Sequence, residues 1–448
     1  MFGRTSFHGG VHPPTEKERT AQLPIEPLPP PPKVVIHLAQ DAGIAANPIV
    51  KEGDYVRIGQ MIGEPAGQVS SSVHASVSGT VLRIGQFSYS DGKRGPAIEI
   101  ENDGKRETMG LAAMDKSWRE AAPGELVRLI AAAGIVDMGL KAFPTHVKLS
   151  PPTNMPIHTL IMSGVEDEPY LTADYRLMLE NTEEILTGTL IVKKMLGARR
   201  TIIAVEGTKQ QAAAKLLSSV KDPKYKDIAI AKLKSKYPQG SEKMLTQTLL
   251  KKQVPSGGSA ADIGCVVLNV ATTYAVYNAV VNAVPLFQRV ITVSGPAVSS
   301  PKNLLVPIGT PIRRVLDFCG VVTGRLHKVV LGGPMTGQAQ SDLDVSVEKS
   351  TNGIVAFDKP LEISHRYACI NCGNCVKTCP MRLVPSYLAK HIRKNNLEEA
   401  AAWGLFDCIE CGSCAYVCPS KIDLVHFIKL GKYLTARDLP PPQAAKGT

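Results

Sequence analysis

The chain has 448 residues, 44% of them hydrophobic and 20% charged, which at roughly 150 residues per domain is enough for about three buried cores and excludes disorder as the main state. Its formal net charge is +11, but only 5% of its residues are aromatic, so it lacks the stacking platforms of a single-strand binder and nucleic acid is not an expected partner. Ten cysteines would permit disulfides, yet eight of them crowd between Cys369 and Cys418 in a repeating pattern that suits metal in a reducing compartment better than crosslinking.

The opening MFGRTSFHGG lacks the apolar run of a signal peptide, and export by that route is not expected. Residues 1–32 form a Pro-rich arm ending in Pro27–Pro32, PLPPPP. Such a stretch cannot be a helix or a central strand, and reads as an extended docking strap or a plain linker. Across 33–103, short Val/Ile-rich runs alternate with Gly, Pro and Asn turns, as in a small all-β unit. Its phrase IVKEGDYVRIGQMIG followed by SVSGTV resembles the lipoyl- or biotinyl-type barrel-sandwich fold. Where a carrier would present its modifiable lysine, this chain has His74-Ala75-Ser76, so the resemblance implies a structural adaptor with no attachment lysine.

Residues 104–294 alternate helical stretches with apolar strands, the pattern of an α/β domain with a largely parallel sheet. The longest charge-free stretch, Ile263 to Gln288, is interrupted by asparagines, threonines and Pro285. It reads as a buried strand, CVVLNV, followed by a core helix, ATTYAVYNAVVNA, in place of a spanning helix. Cys265 and Cys319 stand alone in apolar surroundings and read as small buried hydrophobes. Between Lys193 and Lys252 there are fifteen Lys/Arg against four Asp/Glu. That excess reads either as a basic face that steers an acidic electron carrier or neighbouring subunit, or as solvated helix surface. Residues 295–357 form a small β-grasp-like α+β unit, 358–437 a helical module carrying the cysteines, and 438–448 a tail.

The sharpest signal is Cys369-x-x-Cys372-x-x-Cys375-x-x-x-Cys379-Pro380, repeated at the same offsets as Cys408-x-x-Cys411-x-x-Cys414-x-x-x-Cys418-Pro419. Three cysteines at two-residue gaps wrap three corners of a cubane, while the fourth, followed by Pro, turns away to the other cluster. Cys369, Cys372, Cys375 and Cys418 are therefore expected to hold one [4Fe–4S] cluster, and Cys408, Cys411, Cys414 and Cys379 the second. Paired structural zinc sites are the competing reading, but they require neither the third cysteine nor the trailing proline. The intervening LVPSYLAKHIRKNNLEEAAAWGL has helical periodicity broken near Asn395-Asn396.

Several stretches together resemble one family, the C subunit of the Rnf-type (Rsx) ion-translocating electron-transport complex, whose central domain is similar to the flavin subunit of respiratory complex I. They are Phe7-His8-Gly9-Gly10-Val11-His12-Pro13, Phe143-Pro144-Thr145-His146-Val147-Lys148, Glu166-Asp167-Glu168-Pro169-Tyr170-Leu171-Thr172, Lys236-Tyr237-Pro238-Gln239-Gly240-Ser241-Glu242-Lys243, Val254-Pro255-Ser256-Gly257-Gly258, Gly332-Gly333-Pro334-Met335 and the double cysteine run. The likeness spans nearly the whole chain. It implies a multidomain α/β protein with a complex-I-flavin-subunit-like core and a two-cluster ferredoxin-like module, bound at the cytoplasmic face of the cell membrane through partner subunits. It also implies exchange of electrons with a carrier: ferredoxin, a cytochrome or NADH.

In that family the central domain binds FMN, accepts hydride from NADH, and lays a G-x-G-G-A-x-F-P-T loop against phosphate. Glycine suits that loop because a backbone N–H approaches phosphate closely only where no Cβ intervenes. Here the aligned residues are Asp137-Met138-Gly139-Leu140-Lys141-Ala142, and one glycine of three is present. Asp137 beside a phosphate would cost about 4 kcal/mol per unit-charge pair at about 4 Å and an effective dielectric near 20, offset in part by Lys141. The resemblance leaves Gly139, Lys148, Glu166, Glu168, Gly240, Glu242 and Lys243 as candidate cofactor contacts, with Ser163 in place of the family's asparagine. Two readings stand: a flavin-free relay, and an FMN-dependent NADH oxidoreductase.

Overall fold

The structure, a computed structural model, describes residues 6–112, 114, 117–139, 142–360 and 365–438. Its contacts divide the chain into two compact units, one built from Thr15–Leu233 and Gly264–Pro360, the other from Gly3–Pro14, Lys234–Ile263 and Leu361–Thr448. Leu140 and Lys141 of the flavin-type loop and most of the tail lie outside the described residues.

The first unit carries a barrel-sandwich. An antiparallel sheet runs in the order Lys33–His37, Arg94–Asn102, Gly79–Ser88, Tyr55–Val56, and faces a smaller sheet of Asn47–Pro48, Met61–Glu64 and Val73–His74. Alternation at period two turns Val34, Ile36, Ile98 and Ile100 inward, all at 0% exposure, onto Val56, Ile62 and Val81. His74, Ala75 and Ser76 are buried, and Ser76 Oγ donates to Ile308 O at 2.5 Å. The place of a carrier's lysine is thus packed against the body of the unit. Lys349 is also buried, its Nζ donating to Ser72 O at 2.7 Å, Gly134 O at 2.8 Å and Ser71 Oγ at 3.2 Å. Three acceptors from two segments thereby fix the sandwich to the following helix and to the six-stranded sheet's last loop.

A wholly parallel sheet follows, ordered Ile228–Leu233, Arg200–Glu206, Thr159–Gly164, Cys265–Asn269. Its strands are buried on both faces, with Ile202 to Val205 all at 0% exposure, as helices on the faces of a parallel sheet require. The charge-free stretch divides as expected into strand Cys265–Asn269 and helix Val270–Val281, started by Asn269 Oδ1 accepting from Ala271 N–H at 2.6 Å. The chain turns at Asn181, which separates helices Ala173–Glu180 and Thr182–Leu196.

A six-stranded mixed sheet is ordered Ile25–Pro27, Lys302–Pro307, Gln288–Ser294, Gly353–Phe357, Lys328–Leu331, Gln338–Gln340. Its strand Gln288–Ser294 comes from before the boundary drawn at 294. Its edge strand comes from the Pro-rich arm, which settles that segment as a strap: Ile25–Pro27 pairs parallel with Asn303 to Leu305, and Leu28 enters the sheet's core. Pro can end such a strand because it sits on the edge.

In the second unit, helices Asn374–Thr378, Pro385–Arg393, Leu397–Ala402, Ser413–Tyr416 and Leu424–Asp438 pack round Leu388, Ile392, Ala400, Leu405 and Ile428. Burying each of the large aliphatic side chains contributes roughly 1.5–3 kcal/mol. The connecting helix breaks where the sequence placed it, at Asn395, which has φ +57°. Among the described residues no helix is long and apolar enough to cross a membrane.

Candidate metal centres

The repeat in the cysteine sequence returns as a repeat in backbone conformation. Asn371 and Glu410, each between the first two cysteines of its run, have φ +53° and +56°. Gly373 and Gly412 follow at +74° and +79°, and Arg382 and Lys421, three residues beyond the last cysteine, at +58° and +52°. The two glycines open helices Asn374–Thr378 and Ser413–Tyr416, so the third cysteine of each run sits in a first helical turn. Matching hydrogen bonds reach the fourth: Leu383 N–H donates to Cys379 Sγ at 3.4 Å, and Ile422 N–H to Cys418 Sγ at 3.5 Å. Amide donors of this kind stabilise sulfur that carries negative charge.

Cys379, Cys408, Cys411 and Cys414 line one small cavity, walled by Pro380, Leu383, Pro385, Val425 and Ile428. The first run thus contributes its fourth cysteine to the first three of the second. Thiols spread round a cavity suit a polynuclear cluster better than tetrahedral zinc. Burial pushes the Cys408 thiol up to about 11 and those of Cys379 and Cys414 in the same direction, so ligation must displace protons. Lys432 fixes the second run's turn from the last helix, its Nζ donating to Cys408 O at 2.6 Å and to Glu410 at 2.7 Å.

The first run's remaining cysteines are laid out more openly. Cys418 is buried with Ala389, Cys414 and Leu424, and Cys375 packs against that group, while Cys369 and Cys372 are exposed. Tyr367 N–H donates to Ser420 O at 3.1 Å and Arg366 pairs with Asp423 at 3.0 Å, which draws the chain entering Cys369 past the turn after Cys418. The set round the cavity fits a [4Fe–4S] cluster, which when bound would supply one-electron transfer with no bond chemistry of its own.

At the flavin-type loop, Asp137 N–H donates to Phe143 O at 2.8 Å and closes the turn. Its carboxylate accepts from Lys148 Nζ at 2.7 Å, Gly139 N–H at 3.3 Å and Thr272 Oγ at 3.4 Å, so two of the candidate cofactor contacts, Lys148 and Gly139, are turned onto it. Among the described residues of this loop, therefore, an internal anion takes up the donors, and those residues do not fit a phosphate there while Asp137 stays.

The other candidate contacts are placed apart. Glu166, at φ +43°, turns its carboxylate onto the N–H groups of Asp174 (2.7 Å) and Tyr175 (3.2 Å), capping helix Ala173–Glu180. Glu168 accepts from Met335 N–H at 3.0 Å and from Thr336 Oγ, over the Gly332–Met335 turn, and burial pushes its carboxyl up to about 7. Gly240, Glu242 and Lys243 belong to the second unit, where Glu242 accepts from Ala260 N–H at 3.0 Å.

Beside Glu166 lies a buried charge cluster that composition did not reveal. Lys17 of the strap donates to Glu166 O and Leu171 O and is pushed down to about 8 by burial; Lys209 donates to Val165 O and pairs with Glu206; Asp174, paired with Asn269, is pushed up to about 7 by burial and by Glu166. The one sequence signal was Asn269, a capping residue at the end of an apolar strand.

Four family models match this chain: the RnfC barrel sandwich hybrid domain over residues 5–105, the Nuo51 FMN-binding domain over 130–278, the SLBB domain over 290–339 and the 4Fe-4S dicluster domain over 368–422. The C subunit of a proton-translocating ferredoxin:NAD(+) oxidoreductase complex from Clostridium ljungdahlii is 43% identical over 95% of this chain and 93% of its own. Its counterpart in the Na(+)-translocating ferredoxin:NAD(+) oxidoreductase complex of Acetobacterium woodii is 38% identical over 95% and 96%. The corresponding subunit of an ion-translocating oxidoreductase complex from Rhodobacter capsulatus is 40% identical over 95% and 82%.

Proposed function

The chain belongs to the family of C subunits of Rnf-type ion-translocating oxidoreductase complexes, and from that premise we propose that it is a peripheral electron-transfer subunit of such a complex. It relays single electrons through two [4Fe–4S] clusters, one on Cys369, Cys372, Cys375 and Cys418, the other on Cys408, Cys411, Cys414 and Cys379. The observation that carries this reading is the cavity walled by cysteines of both runs, because two clusters that exchange ligands lie close enough for direct electron transfer. It sits at the cytoplasmic face of the membrane, held by the complex's other subunits, and trades electrons with a protein carrier, ferredoxin or a cytochrome.

In this reading the flavin seat is closed by Asp137, and electrons enter and leave through protein partners. The match of residues 130–278 to an FMN-binding domain favours a second reading, in which the same subunit oxidises NADH or reduces NAD through FMN. Acid extraction of the purified chain, with iron, sulfide and flavin quantified and cluster reduction by NADH followed, separates the two. Eight irons with no flavin and no NADH reduction is the expected result, given two four-iron clusters. Stoichiometric FMN with fast reduction by NADH would replace the relay with the dehydrogenase.

A further inference from the structure

Two sequence motifs, Phe7–Pro13 and Lys236–Lys243, have no place in the relay as described, yet within the second unit they meet at the ligand that crosses between the runs. Helix Asn374–Thr378 ends where Cys379 turns extended, at φ −63° and ψ 116°, and its last carbonyls need partners from outside the helix. Gly10 N–H donates to Thr378 O at 2.7 Å, the carbonyl directly before Cys379. Gly9 lies against the same peptide: a Cβ there would stand 2.5 Å from Thr378 O and 2.9 Å from the Cys379 carbonyl carbon.

The segment is gripped from its other side as well. Val11 and Tyr237 exchange both backbone hydrogen bonds at 2.9 Å. Lys236 Nζ donates to Phe7 O at 2.9 Å and lies 4.6 Å from the centre of the Phe7 ring, over its face. Phe7, Val11 and Tyr237 are all buried. A Cβ on Gly10 would fall 2.6 Å from Tyr237 O, and both glycines have left-handed φ, +70° and +81°. Steric room and backbone conformation therefore independently require glycine at both positions.

We propose that residues Phe7–Val11, clamped by Lys236 and Tyr237, are a positioning clip for Cys379 that sets the geometry and the reduction potential of the cluster it shares with Cys408, Cys411 and Cys414. This rests on the ligand assignment given above. The clip fixes the peptide from which the Cys379 side chain departs and keeps water from it. Cluster potentials follow the hydrogen bonds and solvent exposure around the sulfurs, and water favours the more negative reduced form, so loosening the clip raises the potential of that cluster alone.

The test uses the full chain, with potentiometric titration followed by electron paramagnetic resonance and with iron counted. Cys411→Ser and Cys372→Ser first identify the two signals, and Cys379→Ser must remove the one that Cys411→Ser removes. In Gly10→Ala that same cluster is expected at a raised potential or lost, with the other keeping its wild-type signal and potential. Lys236→Met, the milder variant, gives a smaller shift in the same cluster, and Lys236→Arg, which keeps the cation over Phe7, restores the wild-type value. An unchanged potential in both Gly10→Ala and Lys236→Met, or equal loss of both clusters in both variants, would overturn the clip. If Cys379→Ser instead removed the signal that Cys372→Ser removes, the ligand assignment would fall and the clip with it.

Discussion

At the scale of single residues, cysteine spacing carried the metal chemistry because an iron–sulfur ligand set is local: three thiols and a turn fit in seven residues. Carboxylates were less legible, since their roles depend on what folds over them. Glu166 and Glu168 are two residues apart, but one caps a helix in contact with buried lysines and the other sits over the Gly332–Met335 turn. Glu168 yields a pH prediction. Its carboxyl is pushed up from 4.5 to about 7, chiefly by burial, so the folded state holds a proton that the unfolded state releases. The resulting stabilisation is fully present below about pH 4.5 and is lost as pH rises through about 7, a change of about 3 kcal/mol at the 1.36 kcal/mol that one pKa unit represents. Glu168→Gln, which cannot titrate, is expected to show a flatter dependence over that window. Urea unfolding of both proteins between those pH values checks it, and parallel slopes would mean that Glu168 does not titrate there.

At the scale of elements, periodicity found the strands and helices whose pattern is carried by their own residues, and it missed what depends on distant pairing. The Pro-rich arm could be read as strap or linker because nothing in PLPPPP says which strand it joins. The answer lies in Asn303, 0% exposed, whose Nδ2 donates to Thr20 O at 2.9 Å and Leu23 O at 3.2 Å, while its Oδ1 accepts from Thr172 and Thr292, both at 2.9 Å. One amide thus joins the strap, the α/β core and the six-stranded sheet, and no sequence pattern marks it. Asn303→Ala leaves these buried groups unpaired, each at a cost of roughly 1–3 kcal/mol. Because the neighbouring threonines can re-pair in part, a loss of about 2–4 kcal/mol is expected in denaturant unfolding. Limited proteolysis is expected to cut the released arm first, before the sheet. Stability within about 0.5 kcal/mol of wild type, the range of an ordinary surface change, would show that the strap is held by its strand pairing and Leu28 instead.

At the scale of the whole molecule, the division into two units was hidden because the second is assembled from three separated stretches, whereas composition shifts are read along the chain. The basic stretch from Lys193 to Lys252 is likewise redistributed by folding. Lys209 is internal, and Lys193 and Lys224 are paired with Asp227 and with Glu183 and Asp222. Among the cations left exposed, Lys221, Lys226 and Lys232 lie around strand Ile228–Leu233 at the edge of the parallel sheet. Lysines there protect an open edge from pairing with another chain, and in the proposed function they also steer an acidic partner during encounter. The two roles respond differently to charge reversal. If steering operates, replacing all three by Glu slows association with the remainder of the membrane complex several-fold at low salt and flattens its dependence on ionic strength, while dissociation stays as it was. Edge protection alone predicts unchanged kinetics, since glutamates guard an edge as lysines do. Stopped-flow association across a salt series decides between them, and because the clusters lie in the other unit, their iron content and spectra serve as the control that the reversed chain is otherwise intact.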